Sequence, residues 1–408
     1  MAEITVLDSG VRLITEKMEG VRSVSVGIWC DTGSVYEKPE EFGMSHYIEH
    51  MLFKGTETRS AFQIADEIDR IGGQMNAFTG KENTCFYIKS LDRHFREIAD
   101  VLTDMIEHPA FDPQEMEREK QVVIEEINMN ADDPDDVALD SLESMMSRGS
   151  GLAHPVLGYK DTVSSFTRAM VTDYYYSHYT TDAIVVSVAG SFDYQEVKDY
   201  FSGKFAGLGK KRDVEQSQAV ENPGESVTVV KDIDQAHLAM GVKAIPVTDD
   251  RRYALSILSS VMGGGMSSRL FQSVREKKGL AYSVYTMTGY YRETGMFVIA
   301  AGVGKDRVDE ALGAIREELD KLRNGEVTQD ELDSSREQLK SMFIFGQESV
   351  QTRMISNGRD VLARGYCPSQ DEILSRFDDV TLKDLEEVKT LICDLDQYGI
   401  VNVTGKAE

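Results

Sequence analysis

Between residues 95 and 106 the apolar side chains Phe95, Ile98, Leu102, Met105 and Ile106 recur at three-and-four spacing. That period lays a single apolar stripe along a helix and predicts one from Asp92 to Glu107. Val24 to Trp29 and Thr84 to Ile88 are strand-like runs, and helical patterns cover His46 to Phe53 and Ala61 to Ile71. At Asp112-Pro113 a capping residue precedes the proline favoured at a first helical position, so a further helix starts there.

From Lys204 to Ser226 the periodicity lapses into a turn-rich stretch containing Asn222-Pro223-Gly224. The earlier order then returns. Strands are predicted at Val227 to Val230 and His237 to Val242, helices at Tyr253 to Met262 and Ser268 to Glu276, and strands at Ala281 to Tyr285 and Gly295 to Ala301. A helix striped by Val308, Ala311, Leu312, Ile315, Leu319 and Leu322 closes the series and matches the one at 92–107. A duplicated domain explains this, with one domain at 1–208, a linker at 209–225 and a second domain at 226–408. Strands mixed with helices, without regular βαβ alternation, predict an α+β fold in which each domain has an antiparallel-rich β-sheet flanked by helices.

Charge narrows the partners. With 44 Lys+Arg against 70 Asp+Glu the net charge is −26, which argues against nucleic acid and favours cationic ligands. The longest apolar run, Ala183 to Ala189, is interrupted by Ser187 and falls short of the roughly 18 residues a membrane span needs. The opening residues show no leader pattern, and the cysteines at 30, 85, 367 and 393 form no CxxC pair, so a reducing, cytoplasmic setting is expected. Cys85 lies in an apolar strand and reads as an inert buried thiol. Gly263-Gly264-Gly265 lacks the residues of a phosphate loop, which argues against nucleotide binding. Asp132-Asp133-Pro134-Asp135-Asp136 lacks calcium-loop spacing and reads as a solvated loop.

The chemistry concentrates at His46-Tyr47-Ile48-Glu49-His50. On a helix, His46, Glu49 and His50 fall within an arc of about 100°, so two imidazoles and a carboxylate face one point. This is the inverted order of the zincin motif: the histidines suit zinc, and the glutamate can take a proton. A third ligand must come from elsewhere in the sequence. On the helix after Pro113, Glu119 and Glu126 lie about 20° apart around the axis and can serve one site, while Glu125 points about 100° from Glu126. The same acids would also suit a merely solvated helix face. His94, His108, His154, His178 and His237 lack ligand spacing and read as structural.

H-x-x-E-H, then 75 intervening residues, then a glutamate resembles the M16 zinc peptidases, the inverzincins, and within them the mitochondrial processing peptidase beta subunit and its bacterial homologues. Gly72 to Thr79, Arg118 to Ile127, Gly265 to Phe271, Arg275 to Tyr282 and Glu348 to Arg359 extend the resemblance over essentially the whole chain. It implies one Zn2+ per chain held by His46, His50 and Glu126. Glu49 would be the general base towards a zinc-bound water, with Glu119 orienting a ligand. It further implies that Asn76, Ala77 and Phe78 form a sheet edge to which peptide adds as a strand. Arg275 and Tyr282 would contact substrate from the opposite domain. Spacing alone makes Tyr282 a core aromatic and Arg275 a solvated helix end. The implied protein is a metalloendopeptidase for extended, preferably basic peptides, working as a homodimer that closes a chamber. The alternative is an inactive scaffold or partner subunit of a heteromeric complex of the same family.

Overall fold

The computed structural model describes residues 2–212 and 219–406. Two compact units emerge, one of Met1–Asn128, His154–Ser217 and Ile344–Ser369, the other of Met129–Ala153, Gln218–Phe343 and Gln370–Glu408. The middle of the expected linker, 213–218, lies outside the described residues.

The first unit contains β1 (Glu3–Val6), β2 (Arg12–Lys17), β3 (Ser23–Cys30), β4 (Gln74–Thr79), β5 (Thr84–Leu91) and β6 (Ile184–Gly190), in the spatial order β1-β2-β6-β3-β5-β4. Only β2 and β6 pair in parallel. The second unit contains β7 (Ser226–Lys231), β8 (Gln235–Ala244), β9 (Ala281–Tyr290), β10 (Gly295–Gly304) and β11 (Gly399–Gly405), in the order β7-β11-β8-β10-β9. There the one parallel pair is β7 with β11. Strand for strand, β2-β6-β3-β5-β4 and β7-β11-β8-β10-β9 match in chain order and direction, so the repeat read from the sequence is a repeat of topology, with β1 an addition. The fold is α+β, and both sheets are mainly antiparallel.

Alternation along the central strands explains their composition. Val24, Val26, Ile28 and Cys30 of β3 join Phe86 and Ile88 of β5 in one apolar cluster, while Trp29, Cys85 and Tyr87 enter another. Both faces are thus covered, and these strands read as nearly unbroken apolar runs. The helices α1 (Met44–Leu52), α2 (Ala61–Arg70) and α3 (Phe95–Glu107) supply side chains to the first cluster. The α3 stripe is buried as its period predicts, with residues 92–94 forming a short 3-10 turn ahead of it.

The opposite faces are covered by segments exchanged between the sequence halves. The Val350–Arg364 helix packs Met354, Val361 and Leu362 against Trp29, Cys85 and Val185 in the first unit. In the second unit, α5 (Pro134–Met146) lies over β8 and β11. The division into 1–208 and 226–408 is therefore corrected: 129–153 groups with the second unit and 344–369 with the first. Helical periodicity announces an apolar face but not the sheet that face will cover. Glycines mark both crossings, since a Cβ on Gly27 would strike Met354 and one on Gly241 would strike Met146 and Leu142. The acidic run at 132–136 is likewise a helix junction rather than a solvated loop. The Asp133 carboxylate accepts from the Asp135 and Asp136 N–H groups, and Pro134 takes the first turn of α5. Among the described residues no helix is long and apolar enough to cross a membrane.

Gly358 faces the indole of Trp29, and a Cβ there would collide with the ring. Gly358→Ala is expected to destabilise the fold by about 1–3 kcal/mol through overpacking, read as a lowered thermal midpoint.

Candidate metal centre

α1 begins at Gly43, whose φ of 94° is left-handed and whose Cβ would meet the Leu157 carbonyl at 2.6 Å, so only glycine fits. The buried Glu37 carboxylate accepts from the Gly43 and Ser45 N–H groups, both at 2.7 Å, neutralising the positive end of the helix. The Tyr47 hydroxyl donates to the Met116 carbonyl at 2.7 Å, joining α1 to α4 (Pro113–Asp132). Asp112 caps α4 by accepting from the N–H groups of Gln114 and Glu115.

These anchors bring three of the expected ligands together. Nε2 of His46 lies 3.5 Å, and Nε2 of His50 3.4 Å, from Oε2 of Glu126. Ligand atoms from the three residues all lie within 4.8 Å of one another. Seven-residue spacing places Glu119 on the same face of α4, where its buried carboxylate meets His50 Nδ1 at 2.8 Å and Lys54 Nζ at 2.6 Å. Glu125 is exposed, as its position around the helix predicts. Glu49 accepts a hydrogen bond from the Thr79 hydroxyl on β4.

Electrostatics favour a cation at this point. Burial lowers the His46 pKa to about 3, with His50 adding to the shift, so its ring is neutral and offers a lone pair. For His50, burial opposes the charged form, but Glu119, Glu126 and Glu49 together outweigh it and raise the pKa. Burial raises the Glu49 pKa despite the Thr79 hydrogen bond. Burial also opposes the charged Glu119 carboxylate, yet the His50 and Lys54 donors hold its pKa below the usual value. Two imidazole nitrogens and a carboxylate oxygen converging in this way fit a divalent ion, zinc above all. A proton on His50 competes with a cation for the ring nitrogen, and its raised pKa strengthens that competition. Affinity for zinc is accordingly expected to fall as the medium is acidified, beginning above the ordinary imidazole value of 6.5, in a chelator competition run across pH.

Residues 12–160 match the family model for insulinase (peptidase family M16), and 165–339 match that for the peptidase M16 inactive domain. A Bacillus subtilis protein described as an uncharacterized zinc protease is 42% identical over 377 residues, covering 92% of this chain and 91% of its own. The chain belongs to the M16 peptidase family. A Streptomyces coelicolor protein with the same description is 37% identical over 392 residues, 94% of this M16 chain and 85% of its own. The fold superposes on the crystal structure of a Helicobacter pylori protease with a TM-score of 0.92 at 22% identity, covering 99% of each chain. It also matches a Pseudomonas fluorescens structure described as a peptidase M16 inactive domain, with a TM-score of 0.91 at 18% identity, covering 100% of this chain and 98% of that one.

The remaining expected residues of this M16 chain fall in two places. Asn76, Ala77 and Phe78 lie on β4, an edge strand of the first sheet among the described residues, where the Ala77 N–H donates to Asn76 Oδ1 at 2.9 Å. In the second unit, Arg275 stands on a segment, Phe271–Lys277, that winds as a π-helix, and Tyr282 on the edge strand β9. The Arg275 guanidinium lies 5.5 Å from the Tyr282 ring centre and 4.7 Å from that of Phe271. Tyr282 is 77% exposed, so the core position that spacing alone suggested is wrong. His94, His108, His154, His178 and His237 have local partners in Glu97, Asp104, Glu37, Tyr174 and Asp135 respectively.

Two residues at the centre escaped the reading of the sequence, Glu37 and Lys54, while Thr79 was expected only as part of the edge strand and not as a partner of Glu49. Lys54 follows His50 by one helical turn, and Thr79 ends the expected edge strand; both positions are signals that could have found them. Glu37 sits in a loop with no periodicity to announce it.

Proposed function

We propose that this M16 chain is a zinc-dependent metalloendopeptidase acting on extended, unstructured peptides. The observation that carries this reading is the convergence of His46 Nε2, His50 Nε2 and Glu126 Oε2, with Glu49 beside them and hydrogen-bonded to an edge strand. Zinc held by His46, His50 and Glu126 would polarise the scissile carbonyl and make a water acidic enough to react near neutral pH. The Glu49 carboxylate accepts the proton of the attacking water and passes it to the departing amine nitrogen. Its buried setting supports that role, because burial makes the carboxylate a stronger base. Glu119 takes the Nδ1 proton of His50 in a hydrogen bond and so presents Nε2 to the ion.

β4 supplies the docking edge. An incoming strand pairs with its backbone, replacing the Asn76 side chain at the Ala77 N–H, and the small Ala77 allows close approach. Main-chain pairing selects extended peptides over folded proteins. Arg275 and Tyr282 are donors suited to a peptide carbonyl, and the exposure of Tyr282 supports contact with substrate. The net charge of −26 supports a preference for basic peptides. Four free thiols suit a reducing compartment, the cytoplasm.

The test is cleavage of a library of unstructured basic peptides by the purified chain. Cleavage is expected, a chelator should stop it, and about one zinc per chain should restore it. A fully zinc-loaded chain that cuts nothing would favour the inactive scaffold or partner subunit. The resemblance to processing peptidases further supports a homodimer in which Arg275 and Tyr282 of one copy serve the zinc of the other. Sedimentation is expected to give the mass of two chains, and a stable monomer with full activity would contradict that arrangement.

A further inference from the structure

We propose that Lys54 is a positioning residue for the metal centre, setting the Glu119 carboxylate and through it the His50 imidazole. The proposal rests on the reading of His46, His50 and Glu126 as metal ligands. His50 has two ring nitrogens, and only the one facing Glu126 can serve that site, so the ring must be held against rotation from its other side. Glu119 Oε1 does this at 2.8 Å from Nδ1. A carboxylate has its own freedom of rotation, and its second oxygen needs a partner to make the first one a fixed acceptor. Lys54 Nζ is that partner, 2.6 Å from Oε2, so each oxygen of Glu119 has its own partner.

Burial explains why a cation stands there. The Glu119 side chain is only 5% exposed, and a carboxylate removed from water is costly unless it is paired and hydrogen-bonded. Its other hydrogen bond runs to an imidazole, which is no substitute for a full positive charge when the ring is neutral. The backbone places the lysine: α1 ends at Leu52 with Phe53 as its cap, and the Lys54 N–H donates to the Met51 carbonyl at 3.0 Å in the turn that follows. His46, His50 and Lys54 are then spaced four apart along one side of the helical segment and its end, with the ammonium behind the histidines.

The experiment compares zinc affinity, by competition with a chromophoric chelator, in the full-length wild type, Lys54→Met, Lys54→Arg, Glu119→Gln, the Lys54→Met/Glu119→Gln double variant and His50→Ala. Loss of a partner that orients a ligand typically weakens a metal about 10–100-fold, so Lys54→Met is expected to bind zinc at least about tenfold less tightly. Lys54→Arg should return affinity to within about threefold of wild type, because a guanidinium can donate to the same oxygen. Since both residues act through one imidazole, the double variant should bind no more weakly than Glu119→Gln alone. Wild-type affinity in Lys54→Met, or losses that add in full in the double variant, would overturn the proposal while leaving the ligand assignment intact. Equal zinc affinity in wild type and His50→Ala would overturn the ligand assignment, and the role of Lys54 with it.

Discussion

Glu49→Gln is expected to lower peptide cleavage about 10²–10⁴-fold while leaving zinc in place, measured as initial rate beside metal content in the same preparation. The substitution keeps the shape of the side chain and its reach to Thr79, so α1 and the two histidines should stay where they are. What it removes is a carboxylate beside the three converging ligand atoms that can accept a proton without being one of the residues that hold the ion. Burial already lifts the basicity of Glu49, and the Thr79 hydroxyl fixes one of its oxygens. An amide has no proton affinity of use near neutral pH. A variant that lost both zinc and activity would instead mean that Glu49 is itself part of the metal-holding set.

The second large effect separates two adjacent acids. Glu126→Gln is expected to weaken zinc binding by at least about 100-fold, because loss of a mere orienting partner already costs about 10–100-fold and Glu126 places one carboxylate oxygen near the Nε2 atoms of both imidazoles. Glu125→Gln should change zinc affinity by less than about threefold, as expected of an exposed side chain on another face of α4. Equilibrium dialysis against buffered zinc reads both. Comparable losses in the two variants would mean that the acids act only through the general negative field of the helix.

The contrast between Glu125 and Glu126 also shows what kinds of information the chain carries on its surface. Wherever function or packing repeats with the helical or strand period, the residues could be placed from the sequence: the α3 stripe, the His46-Glu49-His50 arc and the Glu119-Glu126 face all lie as their spacing requires. The duplication was legible for the same reason, since strand runs and striped helices recur in order. Choosing Glu126 as ligand and Glu119 as its supporting acid needed the resemblance to M16 peptidases, because periodicity alone treats the two alike. Other features depend on partners distant in sequence. The packing of α5 and the Val350–Arg364 helix onto strands of the other sequence half is admitted by glycines at 241 and 27, each unremarkable in its own strand. Glu37 serves the metal-bearing helix from a loop, through hydrogen bonds to Gly43 and Ser45 that no pattern announces. Asp133 lay in an acidic run that resembles a solvated segment until its carboxylate is seen to cap α5. Tyr282 alternates like a core aromatic, but β9 is an edge strand and leaves the ring in solvent.

One zinc ion is expected among His46, His50 and Glu126. Diffraction from crystals of the zinc-loaded chain, recorded on both sides of the zinc absorption edge, tests it most directly. The account predicts one anomalous peak per chain at bonding distance, about 2.0–2.2 Å, from Nε2 of both histidines and a carboxylate oxygen of Glu126. A peak held by other residues, or none at these three in a zinc-loaded crystal, would contradict it.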